Sequence, residues 1–312
     1  MSFKLIGLGE VLWDLLPAGR QLGGAPANFT YHARALGADA RIVSRVGRDA
    51  NGRELLEQLG RLGVPTDCVE VDAELPTGTV GVELAADGQP QYRIHENVAW
   101  DAIAGEAAAR AAVKQADAVC FGTLAQRSQT SRKSIRTLVE LTSPTALRIL
   151  DANLRQNYFS PALVEESLAL VNVLKVNDAE LSQLAAMFRL RGDVREQIAE
   201  IAGRFHLQLV ACTRGGQGSL LFSKGRWSEH SGTATTVVDT IGAGDSFTAA
   251  MLLGYLAGWD LDSINNRANQ IAAYVCSCAG GTPQLPAEMR ETFDSTGLLT
   301  TTKLGGRSAS VS

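Results

Sequence analysis

Short runs rich in Val, Ile and Leu alternate along the chain with longer Ala/Leu/Arg/Glu stretches whose apolar positions recur at helical spacing. The first kind of run suits a strand buried on both faces, and the second suits a helix laid across it. Core strands are expected at residues 5–8, 41–46, 118–121, 148–150, 173–176 and 209–212, and helices at 26–36, 52–62, 131–141, 161–170, 179–187 and 194–205. Such winding predicts an α/β fold, a mostly parallel sheet covered by helices. Two regions break the pattern. Residues 11–24 and 67–95 read as short alternating strands with turns at Pro76-Thr77-Gly78 and Asp87-Gly88, and predict a small β-sheet lid. Two more strands, separated by Lys224-Gly225, are expected between 220 and 238, ahead of a long apolar helix starting near Asp245. The division is therefore a main domain of residues 1–10, 25–66 and 101–290, a lid of 11–24 and 67–100, and a Ser/Thr/Gly-rich tail of 291–312.

Composition narrows the partners. With 312 residues, 29 Lys+Arg against 33 Asp+Glu and 45% hydrophobic residues, the chain reads as an ordinary globular protein. Its net charge of −4 without basic runs offers no footprint for nucleic acid. No stretch approaches the roughly 20 apolar residues of a membrane span, and Met1-Ser2-Phe3-Lys4 runs into a strand with no leader pattern, so a cytoplasmic protein is expected. Cys68, Cys120, Cys212, Cys276 and Cys278 are odd in number, scattered and mostly in apolar surroundings, which suits free thiols.

Several chemistries fail on direct reading. Gly-Lys occurs nowhere, which excludes a Walker A loop. The third glycine of a dinucleotide fingerprint starting at Gly7 would fall on Leu12. The segment 244–248 lacks the closing glycine of a serine-hydrolase elbow, and His95-Glu96 has no second His at metalloprotease spacing.

What remains is Asp239-Thr240-Ile241-Gly242-Ala243-Gly244-Asp245, leading into a helix apolar on almost every side. Such a helix must be buried, and a Gly-Ala-Gly turn at its start lets backbone N–H groups approach an anion closely. Asp245 then reads equally as a functional carboxylate or as an N-cap. Leu22-Gly23-Gly24-Ala25-Pro26-Ala27-Asn28 again sets glycines before a helix and a polar amide inside its first turn, where Asn28 could serve in capping alone.

Together, Gly23-Gly24-Ala25-Pro26-Ala27-Asn28, with Gly37 and Gly47 in step, and Asp239–Asp245 resemble the two signatures of the ribokinase-like, or PfkB, family of carbohydrate kinases. Leu22 to Asn28 and Asp151-x-Asn153-x-Arg155 are most similar to its fructokinase-like branch. The resemblance spans residues 3–286 and implies a three-layer αβα sandwich with a mostly parallel central sheet and a small β lid. It implies transfer of the ATP γ-phosphoryl to a sugar hydroxyl, with Asp245 as base and Gly242, Ala243 and Gly244 as the anion hole. Asp14, Gly23, Gly24, Asn28 and Arg93 would meet the sugar, while Asn177, Thr213, Gly215, Gly218 and Asn269 would meet the nucleotide. Glu180 and Asn177, in the family's N-x-x-E, would hold Mg2+ through water, and Asp239 with the Ile241 carbonyl would match the K+ site of some relatives. A homodimer through the lid is expected too.

The residues leave alternatives beside these roles. Asn177 and Glu180 are spaced for a helix capping box, and Gly215 and Gly218 suit an ordinary hairpin turn. Asp245 at a helix N-terminus is expected to have a low pKa. Fructose is the first choice of substrate, with 2-keto-3-deoxygluconate or ribose kinases as alternatives and a catalytically silent sugar-binding regulator as a more distant one. Trp13 reads as lid packing.

Overall fold

The computed structural model describes residues 2–16, 19–84 and 90–290, so the expected Asp87-Gly88 turn and the 291–312 tail lie outside the described residues. The strands are β1 (Lys4–Leu8), β2 (Leu12–Leu16), β3 (Gly19–Gly23), β4 (Asp39–Gly47), β5 (Val69–Asp72), β6 (Thr79–Leu84), β7 (Pro90–Ile94), β8 (Ala118–Phe121), β9 (Leu147–Asp151), β10 (Val173–Asn177), β11 (Leu209–Thr213), β12 (Ser219–Ser223) and β13 (Arg226–His230). The helices are α1 (Ala25–Ala35), α2 (Ala50–Arg61), α3 (Ala107–Lys114), α4 (Gln129–Glu140), α5 (Pro161–Leu168), α6 (Asp178–Phe188), α7 (Val194–Arg204), α8 (Ala243–Leu256), α9 (Leu261–Cys276) and α10 (Ala287–Arg290).

Nine strands form the main sheet in the order β13-β12-β11-β10-β9-β8-β1-β4-β5, and four form a second sheet in the order β3-β2-β6-β7. In the main sheet β4 to β11 run parallel with their neighbours, and only the β11-β12-β13 end is antiparallel. Alternation within each strand supplies both faces. Ile6, Leu8, Val119, Phe121, Leu174 and Val176 pack with α3 to α7, whereas Leu5, Ala118, Cys120, Ile149, Val173 and Ala211 pack with α1, α8 and α9. That is a three-layer αβα sandwich. Helix α8 lies inside it with Ser246 to Gly254 all buried, which explains why its sequence is apolar on every side.

The small sheet is joined to the main body by α2. Val11, Trp13 and Leu22 share a buried cluster with Leu55 and Leu59, and Trp13 Nε1 donates to the Asn51 carbonyl at 3.0 Å. Trp13 is thus lid packing, as expected.

One element of the expected lid belongs elsewhere. Strand β5 pairs in parallel with β4 at the edge of the main sheet. Its inward residues are carboxylates. Glu70 accepts the N–H groups of Ala104, Gly105 and Glu106 and meets Arg45, and Asp72 meets Arg45 at 2.8 Å. Helix α3, short and Ala-rich, was not expected at all. All five cysteines are free, and no helix among the described residues is long and apolar enough to cross a membrane.

Candidate active site

A cleft of about 790 Å³ opens where the strands' C-terminal ends meet the lid, lined by residues from both sheets, including Glu10, Asp14, Asn28, Arg155, Lys175, Glu180 and Asp245. Strand ends of an open parallel sheet are where α/β folds place ligands, because the loops there are free to diverge.

Asp245 is not the cap of its helix. Gly242 takes that position at φ 76°, with no side-chain cap, and Asp245 sits in the first turn with its carboxylate turned to Asn28, whose Nδ2 donates to Oδ2 at 2.9 Å. Only glycine suits position 242, since a Cβ there would fall 2.3 Å from the Gly281 carbonyl oxygen as well as requiring a left-handed backbone. The Ala243 N–H leans toward the Thr240 carbonyl at 3.4 Å, while the N–H groups of Gly244 and Asp245 have no acceptor within their own helix. Ala243 itself does not line the cleft, whereas Gly242 and Gly244 do.

The expected low pKa of Asp245 is overturned. Burial pushes it up to about 6, the nearby Asp151 carboxylate adds to the rise, and the Asn28 amide, Lys175 and Arg155 pull only partly against it. Desolvation and like charge outweigh the helix N-terminus.

Beneath the turn lies a buried cation that the sequence reading missed. Lys175, on β10, bonds Asp151 Oδ1 at 3.0 Å, and Asp151 Oδ2 accepts from Thr248 of α8 at 2.9 Å. A Cβ on Gly244 would lie 3.0 Å from Lys175 Nζ, which places the ammonium directly under the 242–245 turn. Burial alone would lower its pKa, but Asp151, Glu180 and Asp245 outweigh that and hold it above the ordinary lysine value. The available signal was a lysine inside an otherwise apolar strand.

On the lid side, Asp14 faces the cleft. Gly23, diagonal to Asp14 across the β2-β3 pair, leaves room for it, since a Cβ there would sit 2.1 Å from Asp14 Oδ2. Burial raises the Asp14 pKa to about 6 against the pull of Arg155. Glu10, also missed, is buried in the cleft wall with Oε2 lacking a partner, and Arg155 is exposed on the same wall. Gly24 and Asn28 line the cleft as expected.

Across the cleft, Asn177 and Glu180 form a capping box at the start of α6. Asn177 Oδ1 accepts the Glu180 N–H and Glu180 Oε2 accepts the Asn177 N–H, both at 2.8 Å, and Glu180 Oε1 takes the Leu154 N–H at 3.1 Å. Both still line the cleft, with Thr213, Gly215 and Ile241. The capping reading therefore holds, and it leaves the second lone pairs of Glu180 as the acceptors available to water.

Besides Ala243 and Gly23, four expected residues are absent from the cleft lining. Gly218 sits in the turn before β12, where its backbone crowds His230 and a Cβ would fall 2.0 Å from the His230 carbonyl oxygen. Asn269 is buried in a network with Asn265 and Ser219, donating to Ser219 Oγ at 2.7 Å, away from the cleft lining. Arg93 is exposed and alternates along β7 with Ile94, which is the residue that lines the cleft. Asp239 spends both oxygens on the Ile241 and Gly280 N–H groups, each at 3.0 Å, and stands behind the turn.

A carboxylate beside a helix N-terminus, a buried ammonium under it and a lid-covered polar cleft are the parts that phosphoryl transfer to a small hydroxylated acceptor requires. Comparison with known proteins is more specific. Residues 18–288 match the pfkB family of carbohydrate kinases, and the chain belongs to that family. It is 28% identical to a fructokinase of Klebsiella pneumoniae, over 90% of this chain and 94% of that one. It is 27% identical to an uncharacterized sugar kinase of Pyrococcus horikoshii, over 86% of this chain and 88% of the relative, whose crystal structure superposes with a TM-score of 0.78 at 26% identity, covering 93% and 100% of the two chains. The fold is shared with an ATP-bound fructokinase of Xylella fastidiosa at a TM-score of 0.80 and 20% identity, covering 94% of this chain and 98% of that one.

Proposed function

We propose that this carbohydrate kinase transfers the γ-phosphoryl of ATP to the 6-hydroxyl of fructose, with Asp245 as the base. The observation that carries the reading is the placement of the Asp245 carboxylate at the start of α8, held by Asn28, with Lys175 under the same turn. In this reading Asp14, Gly24 and Asn28 orient the sugar so that one hydroxyl meets Asp245. Asp245 takes the hydroxyl proton as the new O–P bond forms, and a pKa near 6 leaves it ionised yet basic at neutral pH. The N–H groups of the 242–245 turn and the Lys175 ammonium then face the charge on the phosphoryl in flight.

Asn177, Thr213 and Gly215 belong to the nucleotide side. Glu180 fits a hydrated Mg2+, because each of its oxygens already accepts one N–H and keeps one lone pair for a metal-bound water. The ion would supply charge neutralisation between the phosphates. Asp239, with both oxygens on backbone N–H groups, orders the Ile241 peptide, whose carbonyl would be the ligand of a K+ ion. The lid's apolar wall of Leu12, Leu16, Val80 and Ile94, facing Leu124 of the main domain, excludes water from the closed cleft. A cytoplasmic homodimer joined through the lid completes the proposal, and a monomeric mass by light scattering at micromolar concentration would overturn its oligomeric part.

Relatives named fructokinase support fructose. A second reading, a sugar acid such as 2-keto-3-deoxygluconate, is favoured by Arg155, a cation exposed on the wall that carries Asp14 and Glu10. The test is ADP release from ATP with Mg2+ and K+ across fructose, ribose, 2-keto-3-deoxygluconate and adenosine. Turnover strongest with fructose is the expected result. Preference for the sugar acid would transfer the assignment to the second reading, and silence with all four would overturn both.

A further inference from the structure

We infer that His32 is a positioning residue for the anion turn, acting through the peptide of Gly281. His32 lies one helical turn beyond Asn28 on α1 and is fully buried. Its Nε2 stands 2.9 Å from the Gly281 carbonyl oxygen. A carbonyl only accepts, so Nε2 carries the proton and the ring is a donor there. Nδ1 is buried without a partner, which suits the neutral tautomer, and burial pushes the ring's pKa down to about 4.

The Gly281 peptide is a wedge between α1 and the start of α8. A Cβ on Gly281 would meet Ile241 Cγ2 at 2.9 Å and both side-chain polar atoms of Asn28 at 3.2 Å, and a Cβ on Gly242 would meet the Gly281 oxygen at 2.3 Å. The same segment is tied at its ends, by Tyr31 Oη donating to the Pro283 carbonyl at 3.0 Å and by the Gly280 N–H donating to Asp239 Oδ2 at 3.0 Å. His32 fixes the Gly281 carbonyl, the group that leaves no room for a side chain at Gly242. Asn28 and His32, on one face of α1, thus set the two sides of the reactive corner: Asn28 holds the base and His32 holds the peptide against which the anion turn is seated. Loss of the imidazole lets the Gly281 peptide rotate, and Gly242 and Ile241 move with it.

This rests on the assignment of Asp245 and its turn to phosphoryl transfer, and the two are separable: retained activity in Asp245→Asn defeats that assignment, whereas an inactive Asp245→Asn with unaffected His32 variants defeats only the inference. The experiment compares His32→Leu, His32→Gln and Gly281→Ala by steady-state kinetics at temperatures below each variant's Tm. His32→Leu is expected to lose about ten- to a hundred-fold in kcat with KM for ATP and sugar changed less than about three-fold, as misplacement of a catalytic group by about an ångström does. His32→Gln, which keeps a donor within reach of the carbonyl, recovers most of that loss. Gly281→Ala, which presses on Ile241 and Asn28 from the other side, repeats the fall in kcat and remains informative if His32→Leu fails to fold. A lowered Tm with kcat within about two-fold of the parent in both His32→Leu and Gly281→Ala would show plain packing and overturn the inference.

Discussion

The side-chain amide of Asn28 donates to Oδ2 of Asp245 at 2.9 Å, joining the first turns of α1 and α8 across 217 residues of sequence. The two glycine-led helix starts that stand far apart in the chain are therefore one site. The bond also sets the chemistry, because it favours the ionised carboxylate that burial and Asp151 disfavour.

Asn28→Ala removes that donor. The Asp245 pKa then rises from about 6, and the acidic limb of the kcat/KM profile moves to higher pH. The expected displacement is about one pH unit, equivalent to about 1.4 kcal/mol, so the variant suffers more at pH 6 than at pH 8. A limb that stays in place would separate Asn28 from the titration of Asp245.

Lys175 and Asp151 form a buried pair whose stability and function come apart. Lys175→Met leaves Asp151 buried beside Thr248 without its cation and is expected to cost about 3–5 kcal/mol of stability along with most of the activity. The double variant with Asp151→Leu restores much of the stability, since Thr248 keeps the Gly244 carbonyl at 3.0 Å, but not the turnover. Denaturant melts and kcat on the same three proteins check this.

Glu10 makes stability depend on pH. Burial raises its pKa from 4.5 to about 7, with its own N–H, Arg155 and the Ala25 N–H pulling down and Asp245 pushing up. The native state thus holds a proton that the unfolded chain has released, so this group's contribution falls as pH rises from about 4.5 to about 7 and is constant above. Glu10→Gln is expected to be more stable than the parent at pH 8, by up to about 3 kcal/mol, and equal to it at pH 4. Unfolding curves at the two pH values give the difference directly.

Much of the architecture was legible in the sequence because it rests on strands buried on both faces, and residues such as Ile6/Leu8 and Leu5 write that plainly as apolar runs. The placement of strand β5 in the main sheet was not, because the residues it turns inward, Glu70 and Asp72, are charged and satisfied by Arg45 and backbone N–H groups from distant segments. The glycine-led turns marked the anion corner, yet Lys175 and Glu10 escaped notice. Their significance lies in what surrounds them: Lys175 is paired with Asp151 on the neighbouring strand β9, 24 residues earlier in the chain, and no spacing rule encodes that pairing. Asn269 is absent from the cleft lining, its amide held by Ser219 and Asn265, a buried network that no local motif announces. The low pKa expected for Asp245 considered the helix N-terminus and left out its own burial and, after that, the carboxylate of Asp151.

The most direct test of the central claim is single-turnover transfer from ATP to the best sugar of the panel by Asp245→Asn, with sugar affinity measured on the same protein. The amide keeps the shape of the carboxylate and can still pair with Asn28, so binding should change little, while transfer should slow by about a thousand-fold. Transfer within about ten-fold of the parent would contradict the assignment of Asp245 as the base.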